Sequence, residues 1–213
     1  MTSRVPGRWA NPGRDEMAIA LQQFNYMAES IQSMTTELER LGITDGLTGI
    51  YNRRFFDHIL PREINRCHRL GTQVALLMLD IDHFKRFNDR FGHPAGDEAL
   101  CTLVQALGQR LRAMDFVIRY GGEEFAVILP GADRDSALAA AERLRSAVES
   151  ATFGPSANSD RLTVSIGVAV YPEDADDAFS LLAAADAALY AAKEAGRNTV
   201  RAAKTVDSTP TAG

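Results

Sequence analysis

Cysteine is scarce in this chain: Cys67 and Cys101 are the only two among 213 residues. Two thiols cannot build the disulfide framework of a small secreted domain, and no Cys or His spacing matches a zinc site. Both fall in helix-like patterns and read as packing thiols of a protein in the reducing cytoplasm. Long apolar runs are missing too, since none approaches the ~18 residues that mark a membrane helix. The opening Met1-Thr-Ser-Arg-Val-Pro-Gly-Arg-Trp9 lacks the apolar core of a secretory signal. Positive charge is in deficit: 23 Lys and Arg against 28 Asp and Glu leave a net charge of −5. That argues against a dedicated nucleic-acid binder, which would show a basic surface. It does not exclude a nucleotide enzyme, whose metal ions supply positive charge locally. What remains is 46% hydrophobic and 24% charged, enough for one ordinary domain with short flanks.

Residues 1–15, rich in Arg, Pro and Gly, read as loose. From 16 to 41 Met17, Leu21, Phe24, Ala28, Ile31, Thr35 and Leu38 recur at alternating steps of four and three. This seam suits a dimerising stalk helix ending at Gly42, or an amphipathic helix docked on its own domain; the stalk is the expectation. A domain follows over 42–202. Asn52 caps a helix to about Leu70, disturbed in its middle by Pro61. A strand is expected at 73–81, a short helix at 82–90 and a longer one at 95–112. Strands at 115–120 and 124–129 form a hairpin. Asp133 or Asp135 opens a helix to Ser150, and Leu162–Val170 is a strand. An Ala-rich helix runs over 177–195, closed by Gly196, and a last short strand includes Thr199-Val200-Arg201. Residues 203–213 read as a disordered tail. The order predicts an α/β (α+β) fold, one mixed central sheet flanked by helices.

Two acidic elements carry the chemistry. Val74–Asp82 is a strand buried on both faces that ends in Asp80 and Asp82, which the period of two points to one side. Ile118-Arg-Tyr-Gly-Gly-Glu-Glu-Phe-Ala-Val-Ile-Leu129 reads as a hairpin whose Gly121-Gly122 leaves bare backbone beside Glu123 and Glu124. A hairpin with a merely solvated tip would look the same, but two acid clusters beside bare glycine favour a divalent-cation site.

Gly121-Gly122-Glu123-Glu124-Phe125 resembles the signature of the GGDEF family of diguanylate cyclases, in its GGEEF form. Asp45-Gly-Leu-Thr-Gly-Ile-Tyr-Asn-Arg-Arg54, Asp80-Ile-Asp-His-Phe-Lys-Arg-Phe-Asn88, Phe91-Gly-His-Pro-Ala-Gly-Asp97 and Ala192-Lys-Glu-Ala-Gly-Arg-Asn198 resemble its other motifs, in family order. The resemblance implies a palm-like fold shared with adenylate cyclase catalytic domains. It implies condensation of two GTP into cyclic di-GMP with release of two pyrophosphates. Asp80, Glu123, Glu124 and the Ile81 carbonyl would hold Mg²⁺, or Mn²⁺ in its place, two ions per half-site. Glu123 would be the base, with metal-bound hydroxide as the alternative because a metal ligand is a poor base; Lys85 would be a catalytic cation, while Lys193 and Arg197 would bind phosphates beside Gly121 and Gly122. Asn88 and Asp97 would read guanine, with His93 nearby; on local sequence alone Asn88 also suits a helix C-terminal cap and His93 a turn. His83 stands where many relatives carry an aromatic residue.

Arg112-Ala-Met-Asp115 resembles the family's RxxD site for inhibition by product, with Arg143 in support; the same residues also suit an ordinary surface. One guanine reader per chain implies a homodimer with facing half-sites. Rival readings are a degenerate nucleotide-binding module, another nucleotidyl cyclase, or a dimerisation module. Every expected signature acid is present, guanine's donor edge suits Asp97, and dimerisation alone leaves the acids unexplained.

Overall fold

The computed structural model describes residues 42–153 and 161–204. The expected stalk and loose N-terminus, except Gly42, lie outside them, as do residues 205–213. Gly42 and Ile43 are helical and Thr44 is not, so the described helical residues end one position beyond Gly42.

The elements are β1 (Tyr51–Asn52), α1 (Arg53–Leu70), β2 (Val74–Ile81), α2 (Phe84–Phe91), α3 (His93–Gly108), β3 (Phe116–Gly121), β4 (Glu124–Pro130), α4 (Arg134–Ser150), β5 (Val164–Tyr171), α5 (Ala178–Glu194) and β6 (Val200–Ala202). They build one six-stranded sheet in the order β1-β3-β4-β2-β5-β6. The four inner strands are antiparallel, and both edge strands pair in parallel. The expected mixed sheet flanked by helices is therefore the fold.

Every residue of β2 is buried, and its alternation splits the core in two. Ala75, Leu77, Leu79 and Ile81 face Leu103 and Leu107 of α3 and Leu144 and Val148 of α4. Val74, Leu76 and Met78 face Phe56, Leu60 and Ile64 of α1 and Leu181, Ala185 and Leu189 of α5. A strand covered on both faces needs an unbroken apolar run, which explains why its acids come only at its end.

Local chemistry sets most boundaries. Asn52 Oδ1 accepts the Phe55 N–H at 3.2 Å, and Asp133 and Asp177 cap α4 and α5 in the same way. Pro61 does not interrupt α1. Its missing N–H and ring clash cost about 3 kcal/mol, but burial of Phe56, Leu60 and Ile64 contributes about 1.5–3 kcal/mol each. Pro61 and Asp57, whose carbonyl loses its partner, both lie on the exposed face. The helix expected from 82 begins at Phe84 because His83 is left-handed, with φ 59°. The helix expected to reach 112 ends at Gly108. Four residues on, Asp115 accepts the Arg112 N–H at 2.7 Å and returns its own N–H to the Arg112 carbonyl at 3.0 Å, a local turn that competes with helix over the expected last turn. Ala203, expected in the tail, is buried and donates to the Val168 carbonyl. Among the described residues no helix is long and apolar enough to cross a membrane.

Candidate active site

The register of β2 and β4 places Asp80 opposite Glu124. The hairpin turn brings Glu123 back against the end of β2, where the Ile81 N–H donates to the Glu123 carbonyl at 3.3 Å. From the other side α5 delivers Lys193, whose Nζ lies 2.7 Å from Asp80 Oδ2. Burial pushes the Glu123 carboxyl above its ordinary range; Asp80 and Glu124 add to this, and Lys193 opposes it. Glu124 is exposed. Burial likewise raises the Tyr120 phenol, with Asp186, Asp57 and Glu124 adding to the effect against Arg53, which lies 4.6 Å above its ring.

Among the described residues no group of three or more His, Cys, Asp or Glu is placed to hold a metal by side chains alone. Asp80, Glu123 and the Ile81 carbonyl offer only oxygen donors, the type that suits a hard divalent ion sharing its coordination with phosphates. The repulsion between Asp80 and Glu123 is what a bound cation would relieve.

Gly122 has φ 49° and Gly121 is exposed at the end of β3. The turn is clamped by a residue that sequence reasoning missed. Arg119 donates to the Gly122 carbonyl through Nε at 3.1 Å and Nη2 at 2.9 Å, and its Nη1 pairs with Asp45 Oδ1 at 3.0 Å. Asp45 also accepts from Thr48 N and Oγ1. Burial raises its carboxyl, but the Thr48 bonds and Arg119 outweigh this and hold it below the usual range. The signal for Asp45 was present as an Asp-x-x-Thr turn. The long-range pairing was not.

Asn88 ends up against Gly96, one residue before Asp97. Its Oδ1 is fully buried and is the one such side-chain atom without a hydrogen-bond partner among the described residues. A Cβ on Gly96 would overlap that oxygen and stand 2.9 Å from Asn88 Cγ. A buried oxygen left unpaired is costly unless a ligand supplies the donor. Asp97 and His93 are exposed on α3, and Lys85 is exposed on α2. Phe84 and Phe87 are core, their rings stacked with centroids 6.3 Å apart. Arg197 is exposed and left-handed, with φ 63°.

Asp82 differs from Asp80. Both are buried, but Asp82 accepts from Thr163 Oγ1, Ser165 Oγ and the Asn198 N–H, so most of its acceptor capacity is already engaged by the protein.

Arg112 and Asp115 are joined by the turn that precedes β3, so they lie at the opposite end of that strand from Gly121, about 20 Å away at ~3.3 Å per residue. Arg143 lines a groove of about 740 Å³ between α3 and α4 together with Arg110, Gln105 and Glu142; Arg112 and Asp115 are not among its lining residues.

This is an α/β domain in which a glycine hairpin sets acids against the end of a central strand. Residues 42–199 match the family described as diguanylate cyclase, GGDEF domain. The probable diguanylate cyclase DgcC of Escherichia coli is 40% identical over 161 residues, which cover 76% of this chain and 43% of that protein. The response regulator PleD of Caulobacter vibrioides is 42% identical over 162 residues, covering 75% of this chain and 36% of PleD. The crystal structure of the coiled coil and GGDEF domain of DgcB from Caulobacter crescentus, in complex with c-di-GMP, superposes with a TM-score of 0.81 at 34% identity, covering 88% of this chain and 99% of that one. The chain belongs to the GGDEF diguanylate cyclase domain family. It spans less than half the length of the two curated relatives above.

Proposed function

We propose that this protein is a diguanylate cyclase that joins two GTP molecules into cyclic di-GMP, working as a homodimer with one GTP per protomer. The observation that carries this reading is the convergence of Asp80, Glu123 and Lys193 at the ends of β2, the glycine hairpin and α5.

Asp80, Glu123 and the Ile81 carbonyl hold Mg²⁺ or Mn²⁺, with Glu124 as a further ligand; two ions per half-site is the proposed number. The metal, when bound, neutralises charge that builds on phosphate oxygens. The rest of the work falls to the chain. Bare backbone at Gly121 and Gly122 lets the triphosphate approach. Lys85, Lys193 and Arg197 balance and orient its oxygens, Arg197 with a two-pronged fork. Glu123 takes the proton of the attacking 3′-hydroxyl. Asn88 Oδ1 accepts a donor from guanine, Asp97 accepts from its N1–H and 2-amino group, and His93 borders the base. Adenine lacks those donors, so ATP is rejected.

Incubation with GTP and Mg²⁺, with products identified by mass, tests the reading. Cyclic di-GMP and pyrophosphate are expected in a ratio of about one to two. GTP binding without turnover would make this a nucleotide-sensing module; no GTP binding would remove the reading altogether.

Gly96→Ala is expected to push Asn88 out of place. The clash falls on the end of a flexible side chain, so the fold survives while the GTP KM rises about tenfold or more, the cost of one lost hydrogen bond to a buried group. Steady-state kinetics with a melting curve checks both halves.

Product inhibition at Arg112 and Asp115, with Arg143 in support, belongs to the same proposal. The Arg112–Asp115 turn uses backbone atoms of Arg112, so Arg112→Ala leaves it intact. Catalysis is expected to persist while inhibition by cyclic di-GMP weakens. That inhibition should be noncompetitive with GTP, because the site lies at the far end of β3. Identical inhibition of the two proteins in a GTP titration would remove the site from regulation.

A further inference from the structure

Asp82 is only 5% exposed, yet it carries three hydrogen bonds. Its Oδ1 accepts from Ser165 Oγ at 2.7 Å; its Oδ2 accepts from Thr163 Oγ1 at 2.7 Å and from the Asn198 N–H at 2.9 Å. The last of these reaches 116 positions along the chain to the turn between α5 and β6. That turn is unusual in its backbone. Gly196, Arg197 and Asn198 have successive φ values of 104°, 63° and 45°. Glycine adopts such angles freely and asparagine readily; arginine does so only when its surroundings impose it.

The surroundings are visible. Asp82 holds the Asn198 backbone. Arg145 Nη1 donates to Asn198 Oδ1 at 2.6 Å, and Asn198 Nδ2 donates to Glu149 Oε1 at 2.8 Å, so α4 holds the same residue by its side chain. Lys193, four residues before Arg197, reaches Asp80, which places the turn at the acidic end of the sheet.

We infer that Asp82 is a positioning residue, which locks the left-handed turn after α5 so that Arg197 is presented to the triphosphate in a fixed relation to Asp80. One side chain ties the end of β2 to the residue that follows Arg197. The inference rests on the GTP reading given above, and it separates the two aspartates of the Asp-Ile-Asp segment into different tasks. Asp80 faces the substrate charge; Asp82 faces only donors of the protein itself.

The chemistry of those donors supplies a discriminating variant. In Asp82→Asn the amide oxygen can replace Oδ2 and accept from both Asn198 and Thr163. The amide nitrogen can replace Oδ1 and donate to Ser165, whose hydroxyl rotates to accept. A positioning role therefore survives this change, whereas a metal ligand would not, because a neutral amide is a poor ligand for a hard cation. Asp82→Ala removes all three bonds.

The test is calorimetric titration with a non-reacting GTP analogue and with GMP, in Mg²⁺, for wild type, Asp82→Ala, Asp82→Asn, Arg197→Ala and the Asp82→Ala/Arg197→Ala double variant. Asp82→Ala is expected to weaken the triphosphate about tenfold and leave GMP nearly unchanged, and Asp82→Asn to bind almost as wild type. If Asp82 acts through Arg197, the double variant is no weaker than Arg197→Ala alone, since effects through one group do not add. Hydrogen exchange gives a readout free of nucleotide: the Asn198 amide should exchange about tenfold faster in Asp82→Ala while β2 and β5 stay protected. Thr163→Val, which removes one support of Asp82 without opening a cavity, should accelerate the same amide and keeps the question answerable if Asp82→Ala does not fold. Unchanged triphosphate affinity, equal damage from the Asn and Ala variants, or full additivity with Arg197→Ala would each overturn the inference. A wild type that binds no GTP analogue would sink the GTP reading instead; exchange at Asn198 would then decide the anchoring by itself.

Discussion

Glu123→Gln should reduce turnover by about 10²–10³ or more while the protein stays folded, because one positioned electrostatic group at a reacting centre is worth that much. The substitution keeps the shape and removes the charge. Three features of Glu123 make the effect large. Its backbone is tied to Ile81, so its position does not depend on its charge. Its carboxyl is partly buried, which raises its proton affinity, and repulsion from Asp80 adds to this. It sits in the one turn that Arg119 clamps from behind. The glutamine variant relieves that repulsion, so its apo form should melt no lower than wild type at neutral pH. The sign follows from the raised folded-state value: such a carboxyl weakens the fold when ionised, and the penalty disappears as pH falls below the folded value. Rates from single-turnover measurement, beside a melting curve, check both parts. Activity above about a tenth of wild type would take Glu123 out of the centre of the mechanism.

Gly167→Ala should destroy activity by a different route. Gly167 lies in the middle of β5, under α5. A Cβ there would run into the Ala185 carbonyl and the Leu189 N–H and stand 2.8 Å from Leu189 Cα. These are backbone atoms of a helix, which cannot step aside as a side-chain tip can. Overpacking of this kind costs about 3 kcal/mol or more, which corresponds to a fall of roughly 10 °C in Tm for a domain of this size. The helix that must move is the one that brings Lys193 to Asp80. Even the folded fraction should therefore bind triphosphate poorly. A melting curve with a GTP titration on the folded fraction checks this; a wild-type Tm would mean that α5 can slide on β5 at little cost.

Gly96 and Gly167 show where sequence reading stops. Gly96 was legible as part of a motif, and Gly167 as a glycine inside a strand. Neither reading says which atoms press on the missing side chain. Gly96 makes room for Asn88 and Gly167 for a helix, and only the packing distinguishes a site glycine from a core glycine. The same holds for Arg119. In sequence it is one charged residue in a strand; in the fold it joins Asp45, 74 positions away, to the carbonyl of Gly122.

Element types were legible because their signals are local. The buried run of β2, the glycine pair of the hairpin, the caps Asn52, Asp133 and Asp177 and the alanine-rich α5 each act within a few residues. The boundaries that shifted had causes that composition hides: the left-handed His83, and the Arg112–Asp115 turn that ends α3 early. The two-residue β1 was missed because so short a strand shows no alternation, and it exists only because β3 offers it a partner.

The sequence by itself determined that a buried strand ends in acids, that a glycine hairpin carries two more, and that both belong to a set of motifs in GGDEF order. These are properties of neighbours along the chain, which periodicity and turn chemistry expose. The tertiary structure alone decided how the acids are shared out. Asp80 is met by Lys193, while Asp82, two residues on and just past the end of β2, is enclosed by Thr163, Ser165 and Asn198. A carboxylate's task is set by the donors that reach it, and those donors come from distant segments whose approach only the packed sheet and helices specify.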